Sequence, residues 1–318
     1  MKSKLIKDEK NYCSQMSIDR EEQITGTMSI VKCFLLIEYS GQWSPRINTM
    51  LQDSDINQKS VTHILNFIDW CPEPVRLLFI KNKSTKEKNE FKIFLTRENK
   101  GEVGVTEFDL QCYNDIKNIN LKSAYKEIGS SQNLLVICTH GKRDKCCAKF
   151  GYPVYSYLSS NLILREKSYS IWECTHVGGD RFAANIIWLP YGIGFGHCQN
   201  FTNLLFDNLK KHELSLIHYR GSSIFPSAAQ YFEAHVRKQR KLSKPGGVIM
   251  TYYREESNKN RELIADIGLV FKDLDNKLLT ATVREYQDKS RGKVLASCNN
   301  NGYAYPRRFI LESINGLN

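Results

Sequence analysis

The chain has 318 residues, 41% hydrophobic and 25% charged, proportions of a globular protein that exclude collagen-like, low-complexity and wholly disordered classes. At roughly 150 residues per domain this length implies about two domains. Its 45 lysines and arginines against 34 acids give a formal charge of +11, which admits nucleic acid, an anionic surface or an acidic protein as partner.

In chain order, residues 1–28 mix charges of both signs with polar residues and hold no sustained period, as a solvated tail does. From Val31 the pattern becomes α/β. VKCFLLIEY (31–39) and VRLLFIKN (75–82) have the apolar density of buried strands, EFKIFLTRE (90–98) alternates like a half-exposed one, and Val61, Leu65 and Ile68 between them keep helical spacing. The next segment predicts a strand at LLVIC (134–138), a helix opened by Pro153, strands at YSIWEC (169–174) and ANIIWLP (184–190), a glycine-broken edge strand YGIGFGH, and the amphipathic helix FTNLLFDNLKKH. That order is thioredoxin-like, and the first domain faintly echoes it. A helix with Ala229, Phe232 and Val236 on one face follows, then strands GVIMTYY (247–253) and KLLTATVREY (277–286); residues 235–318 carry 16 lysines and arginines against 9 acids. The expected organisation is a polar tail (1–28), an N-terminal α/β domain (29–125), a thioredoxin-like domain (126–213) and a basic C-terminal α+β segment (214–318). The basic run RKQRKLSK (237–244) has no interleaved aromatics and suits an exposed helix end better than a nucleic-acid stripe.

Ten cysteines suggest a disulfide framework only in an exported chain. The first thirty residues hold no apolar export segment and no run reaches 18 apolar residues, so the expectation is a cytoplasmic, non-membrane protein with reduced thiols. Clustered cysteines there suit metal or redox chemistry. Cys138 ends a strand and Cys147 follows in a basic loop, while His176 and Asp180 lie in one turn with Gly178 and Gly179 between them. Two thiolates from one loop and two further donors from one turn are what an iron–sulfur cluster or a four-coordinate metal takes.

The run CTHGKRDKCCAKFGYPVYSYL (138–158) followed by WECTHVGGDRFAANIIWLPYGIGFGH (172–197) resembles the sucrase/ferredoxin-like family. FLLIEYSGQWSP (34–45) and HYRGSSIFPSAAQYFEAHVR (218–237) extend the resemblance. It implies a thioredoxin-like ferredoxin domain whose 2Fe-2S cluster is held by two cysteines and two histidines. Cys138 and Cys147 would then ligate one iron and His176 the other. Asp180 stands where the family has its second histidine. A carboxylate is a hard donor that favours ferric iron, so the potential is expected between about −400 mV for plant-type ferredoxins and the roughly −150 to +300 mV of Rieske centres.

Other readings use the same residues. Asp180 can instead cap the turn or pair with Arg181, leaving Cys174 or Cys146 as substitute ligands. His140 and His197 read as turn or core histidines, and Cys13, Cys33, Cys71, Cys112, Cys198 and Cys298 as structural thiols. Lys142, Arg143, Lys145, Lys149 and Arg181 form either a solvated loop or a field that attracts an acidic redox partner. The main function expected is an electron carrier, more than a catalyst. The alternatives are a cluster-free thioredoxin-like binding module, a thiol-redox protein using Cys146 and Cys147, or a zinc site on the same donors. No carboxylate pair of a glycosidase, no phosphate loop and no HExxH helix can be singled out.

Overall fold

The computed structural model describes residues 12–85, 90–99, 101–127, 129–258 and 262–317. Nine strands, β1 (Cys33–Glu38), β2 (Val75–Lys81), β3 (Phe91–Asn99), β4 (Glu102–Leu110), β5 (Asn133–Cys138), β6 (Tyr169–Cys174), β7 (Ile186–Leu189), β8 (Ile193–Phe195) and β9 (Tyr219–Ser222), form one mixed sheet. Their order is β4-β3-β1-β2-β6-β5-β7-β8-β9. The helices are α1 (Cys13–Asp19), α2 (Ile47–Asp53), α3 (Gln58–Trp70), α4 (Leu121–Lys126), α5 (Tyr152–Ser159), α6 (Leu162–Glu166), α7 (Thr202–Lys210) and α8 (Ser227–Arg240). The chain is α/β, as expected.

Every residue of β1 and β5 is buried, as apolar runs without alternation require when both faces of a sheet are covered. Cys33, Leu35 and Ile37 pack on Val61, Ile64 and Phe67 of α3. Leu135 and Ile137 pack likewise on Val154, Tyr155 and Leu158 of α5. On the opposite face Phe34, Leu36, Leu134, Val136 and Cys138 meet in one cluster with Trp172 and Cys174.

The faint echo between the two halves is a structural repeat. β1 pairs parallel with β2 and antiparallel with β3, which pairs antiparallel with β4. β5 does the same with β6, β7 and β8. Registers equate Glu38 with Cys138 and Ile80 with Cys174. The halves join where β2 meets β6 antiparallel, and there Ile80 pairs with Cys174 itself. A twofold axis between those strands requires that pairing of equivalent residues. The two expected domains therefore share one sheet. At the end of the first strand the halves diverge chemically: Glu38 is buried and accepts from Thr85 Oγ1 (2.6 Å) and Lys92 N (2.9 Å), whereas Cys138 is a thiol. Only the second half carries a soft donor at that position.

In the C-terminal part β10 (Val248–Ser257), β11 (Leu263–Phe271), β12 (Lys277–Gln287) and β15 (Arg307–Asn315) form an antiparallel sheet, with β13 (Val294–Ser297) and β14 (Asn300–Ala304) as a separate hairpin. Phe232 and Val236 of α8 pack on Ile267, Leu269 and Val283. Arg237 does not belong to an exposed basic end: it is buried and paired with Glu233 at 2.9 Å. Among the described residues no helix is long and apolar enough to cross a membrane.

The solvated tail needs correction for residues 12–28; residues 1–11 lie outside the described residues. Cys13, Ser14 and Ser17 of α1 are buried, Ser14 donates to the Ala183 carbonyl, and Glu22 pairs with Arg181 at 2.8 Å. Glu21 and Glu22, which look solvated in a sequence window, pair with Arg291 and Arg181 more than 150 positions away. Ser17 also contacts His197, whose buried imidazole is pushed down to about 4, mainly by desolvation. A histidine lowered from 6.5 in the unfolded chain contributes fully above that pH, and its contribution is lost as pH falls through about 4. Up to about 3 kcal/mol is involved. Urea unfolding at pH 7 and 4.5 should show a smaller acid loss in His197→Gln than in the wild type; equal losses would refute the assignment.

Candidate metal centre

Three of the four expected donors converge. The sulfurs of Cys138 and Cys147 and a ring nitrogen of His176 lie within 4.8 Å of one another, at the C-terminal ends of the parallel strands β5 and β6. Cys138 is the last residue of β5, and the loop after it returns Cys147 at the head of a short π-helical turn, Cys147–Gly151. Gly151 makes the return possible, because a Cβ there would stand 2.1 Å from the Cys138 carbonyl oxygen. Gly151→Ala is therefore expected to push this turn off the strand and lower metal content several-fold. A variant with wild-type metal content would show that the close approach is dispensable.

The thiols are coupled. Cys138 is held well below the usual thiol range, first by the hydrogen bond from Cys147 and then by His176, against the effect of burial. Cys147 is pushed well above it by the same hydrogen bond and by burial. The pair thus resists carrying two negative charges until a cation neutralises them.

His176 and Asp180 sit on a turn through Gly178 and Gly179, both at positive φ (88° and 75°), conformations that favour glycine. Asp180 Oδ1 is 3.1 Å from His176 Nδ1 and 3.9 Å from Cys147 Sγ. It touches two of the three donors without joining the group within 4.8 Å. Burial pushes its carboxyl up, partly offset by His176. It does not pair with Arg181, which is taken by Glu22.

Of the substitutes, Cys174 is fully buried beside Cys138 on the neighbouring strand, its thiol pushed well up by burial, and it does not join the donors. Cys146 is corrected: its sulfur faces Cys13 (3.5 Å) and Cys298 (3.1 Å). Adjacent in sequence, Cys146 and Cys147 belong to different groups of donors.

The residues that hold the turn carry no sequence motif. Arg76 Nη1 donates to the Val177 carbonyl, Arg220 Nη1 to that of Gly178 (3.3 Å) and Asn185 Nδ2 to that of Gly179 (2.9 Å). Three consecutive carbonyls are gripped from three strands or loops. His140, expected as a turn or core histidine, lines the same cavity as His176. His140 is buried, edge-on to Trp43 at 5.7 Å, and among the described residues neither ring nitrogen has a hydrogen-bond partner; burial pushes its pKa down to about 4. Unpartnered buried nitrogens are rare and mark a place for a ligand or ion.

A cavity of about 750 Å³ opens beside His176, with His140, Arg46, Arg76 and Arg143 on its wall. Of the basic residues expected around the site, Arg143 lines this cavity, while Lys145 and Lys149 lie over the Tyr12 ring at 5.5 and 6.0 Å.

No curated protein and no solved structure is significantly similar to the chain. The family model described as sucrase/ferredoxin-like matches residues 24–221, which contain the nine-stranded sheet up to the last residue of β9 and all four candidate metal ligands. That match covers more than half of the chain, which therefore belongs to the sucrase/ferredoxin-like family.

Proposed function

We propose that this protein is an electron carrier with a 2Fe-2S cluster held by Cys138, Cys147, His176 and Asp180. The convergence of two thiols and an imidazole from two separate connections carries the reading. Such a donor set fits a soft, positively charged group, and Asp180 is the nearest further anion. A cluster of this type supplies one-electron transfer at a potential set by its ligands and their hydrogen bonds.

The protein's own part is positioning and access. The carbonyl grip on residues 177–179 fixes His176 and Asp180 before any ligand arrives. The His176 side chain is 22% exposed and borders the arginine-walled cavity, which supports an acidic redox protein as the partner approaching this edge.

Zinc is the second reading, because three donors within 4.8 Å of one another also suit a single tetrahedral ion. Anaerobic reconstitution separates the two. Two irons and two sulfides per chain with visible charge-transfer bands, all lost in Cys147→Ser, are expected for the cluster. A colourless protein that takes only zinc would refute it.

A further inference from the structure

A second group of thiols lies on the other side of the same loop. Cys13 comes from α1, Cys146 from the residue before Cys147, and Cys298 from the connection of the β13–β14 hairpin. Their sulfurs form a triangle with edges of 3.5 Å (Cys13–Cys146), 3.5 Å (Cys13–Cys298) and 3.1 Å (Cys146–Cys298). A carboxylate oxygen of Asp144 lies within 4.8 Å of all three. Cys13, Cys146 and Asp144 are fully buried, and Cys298 is half-buried.

A disulfide needs two sulfurs and gives the third no reason to be there. Three sulfurs nearly equidistant, with an oxygen donor beside them, are what one tetrahedral ion collects. Zinc with Zn–S of about 2.3 Å sets its sulfurs about 3.8 Å apart, so this triangle has to open by only about half an ångström.

Asp144 is built for the place. Its Oδ1 accepts from Cys146 N (2.7 Å), and its Oδ2 from Cys298 N (2.6 Å) and Ser297 Oγ (2.7 Å). It therefore holds two of the three cysteine-bearing loops together, and Oδ1 keeps a lone pair for an ion. Cys13 N donates to Cys298 Sγ (3.2 Å), a contact that stabilises a thiolate.

We propose that Cys13, Cys146 and Cys298, with Asp144 as oxygen donor, form a second metal centre that takes one zinc ion. Binding replaces the thiol protons with the ion and releases them to solvent, with no change of oxidation state. The ion ties the N-terminal helix and the C-terminal hairpin to the loop that carries Cys147. Because Cys146 and Cys147 are consecutive, fixing one sulfur in this centre fixes the backbone that presents the other to the first.

The test uses the full chain, purified under reducing conditions, with zinc counted by elemental mass spectrometry. Cys138→Ser/Cys147→Ser removes the first site's thiols and is expected to keep about one zinc per chain. Adding Cys13→Ser or Cys298→Ser to it should remove that zinc, together with the thiolate-to-metal absorption that cobalt(II) gives when titrated into the apo form. A double variant with neither zinc nor a cobalt band would overturn the proposal, as would undiminished zinc in the Cys13→Ser form, or a Cys146–Cys298 disulfide in metal-free protein purified under those conditions. Should a variant fail to fold by circular dichroism, X-ray absorption at the zinc edge of the zinc-loaded wild type decides. More than two sulfurs per zinc supports the centre and two or fewer overturns it. The outcome is independent of whether the first site holds iron.

Discussion

Asp180→Ala is expected to lower the iron held by the reconstituted protein about tenfold or more, while Asp180→His keeps it and raises the reduction potential. The carboxylate lies 3.1 Å from His176 Nδ1 and 3.9 Å from Cys147 Sγ, so its removal deletes an anion in contact with two of the three converging donors. As a ligand it adds one negative charge that a neutral imidazole does not, and negative charge disfavours accepting an electron. Replacing thiolate by histidine is associated with a rise from about −400 mV to the roughly −150 to +300 mV of Rieske centres, and the aspartate version belongs between those ranges. Even if Asp180 only orients His176, outer residues of this kind are worth about 10–100-fold in metal affinity. The potential distinguishes the roles: an orienting residue leaves the formal charge of the cluster unchanged, and a ligand changes it. Unaltered iron content and potential in both variants would show that Asp180 is neither. His140→Ala, made in parallel, reads out the second histidine on this wall, whose ring nitrogens have no hydrogen-bond partner among the described residues.

The site was legible in the sequence to the extent that it is local. Cys138 and Cys147 belong to one strand and the loop after it, and His176 and Asp180 to one glycine turn, so spacing alone names them. The buried strands were legible for the same reason, since an apolar run such as LLVIC needs no distant information to exclude water. β4 and β15 escaped because their residues mix polar and apolar positions: β4 has Glu102, Glu107 and Asp109 among its nine residues, whereas β11 is apolar but interrupted by Asp266 and Gly268. The thiol triangle escaped entirely. Cys13, Cys146 and Cys298 are separated by 133 and 152 positions, and no spacing rule reaches that far. Only the packing of both ends of the chain against one loop brings them together. The repeated half was visible as a faint echo because the pattern of strands survives while the residues do not: the position of Cys138 is taken in the first half by Glu38, with its own buried hydrogen bonds.

Arg220→Lys and Arg220→Met are expected to cost about 4 kcal/mol each, which at this chain length lowers the melting temperature by about 6 °C. Arg220 is buried, and its guanidinium donates to Thr27 Oγ1 (3.0 Å), the Thr27 carbonyl (2.6 Å), Asn185 Oδ1 (2.8 Å) and the Gly178 carbonyl (3.3 Å) while lying over Phe182 at 5.0 Å. Burial draws its pKa down to about 9, which still leaves it charged at neutral pH. Among the described residues no carboxylate forms an ion pair with it, so its charge is balanced by carbonyl and amide dipoles. Methionine relieves the desolvation of that charge but removes the donor from four acceptors, of which Asn185 Oδ1 is buried and the Thr27 and Gly178 oxygens half-buried; a buried acceptor left unpaired costs about 1–3 kcal/mol. Lysine keeps the charge, yet one ammonium cannot reproduce a planar fork that reaches two chain segments at once. The effect should extend to the metal centre, because the grip on Gly178 is lost in both variants. A Cβ at Gly179 would stand 2.4 Å from Arg220 Nη2, which measures how closely the guanidinium fills the space under the turn. Metal content should therefore fall about tenfold along with the melting temperature. Arg220→Lys with wild-type melting and full metal content would show that the turn between His176 and Asp180 holds its shape without the guanidinium.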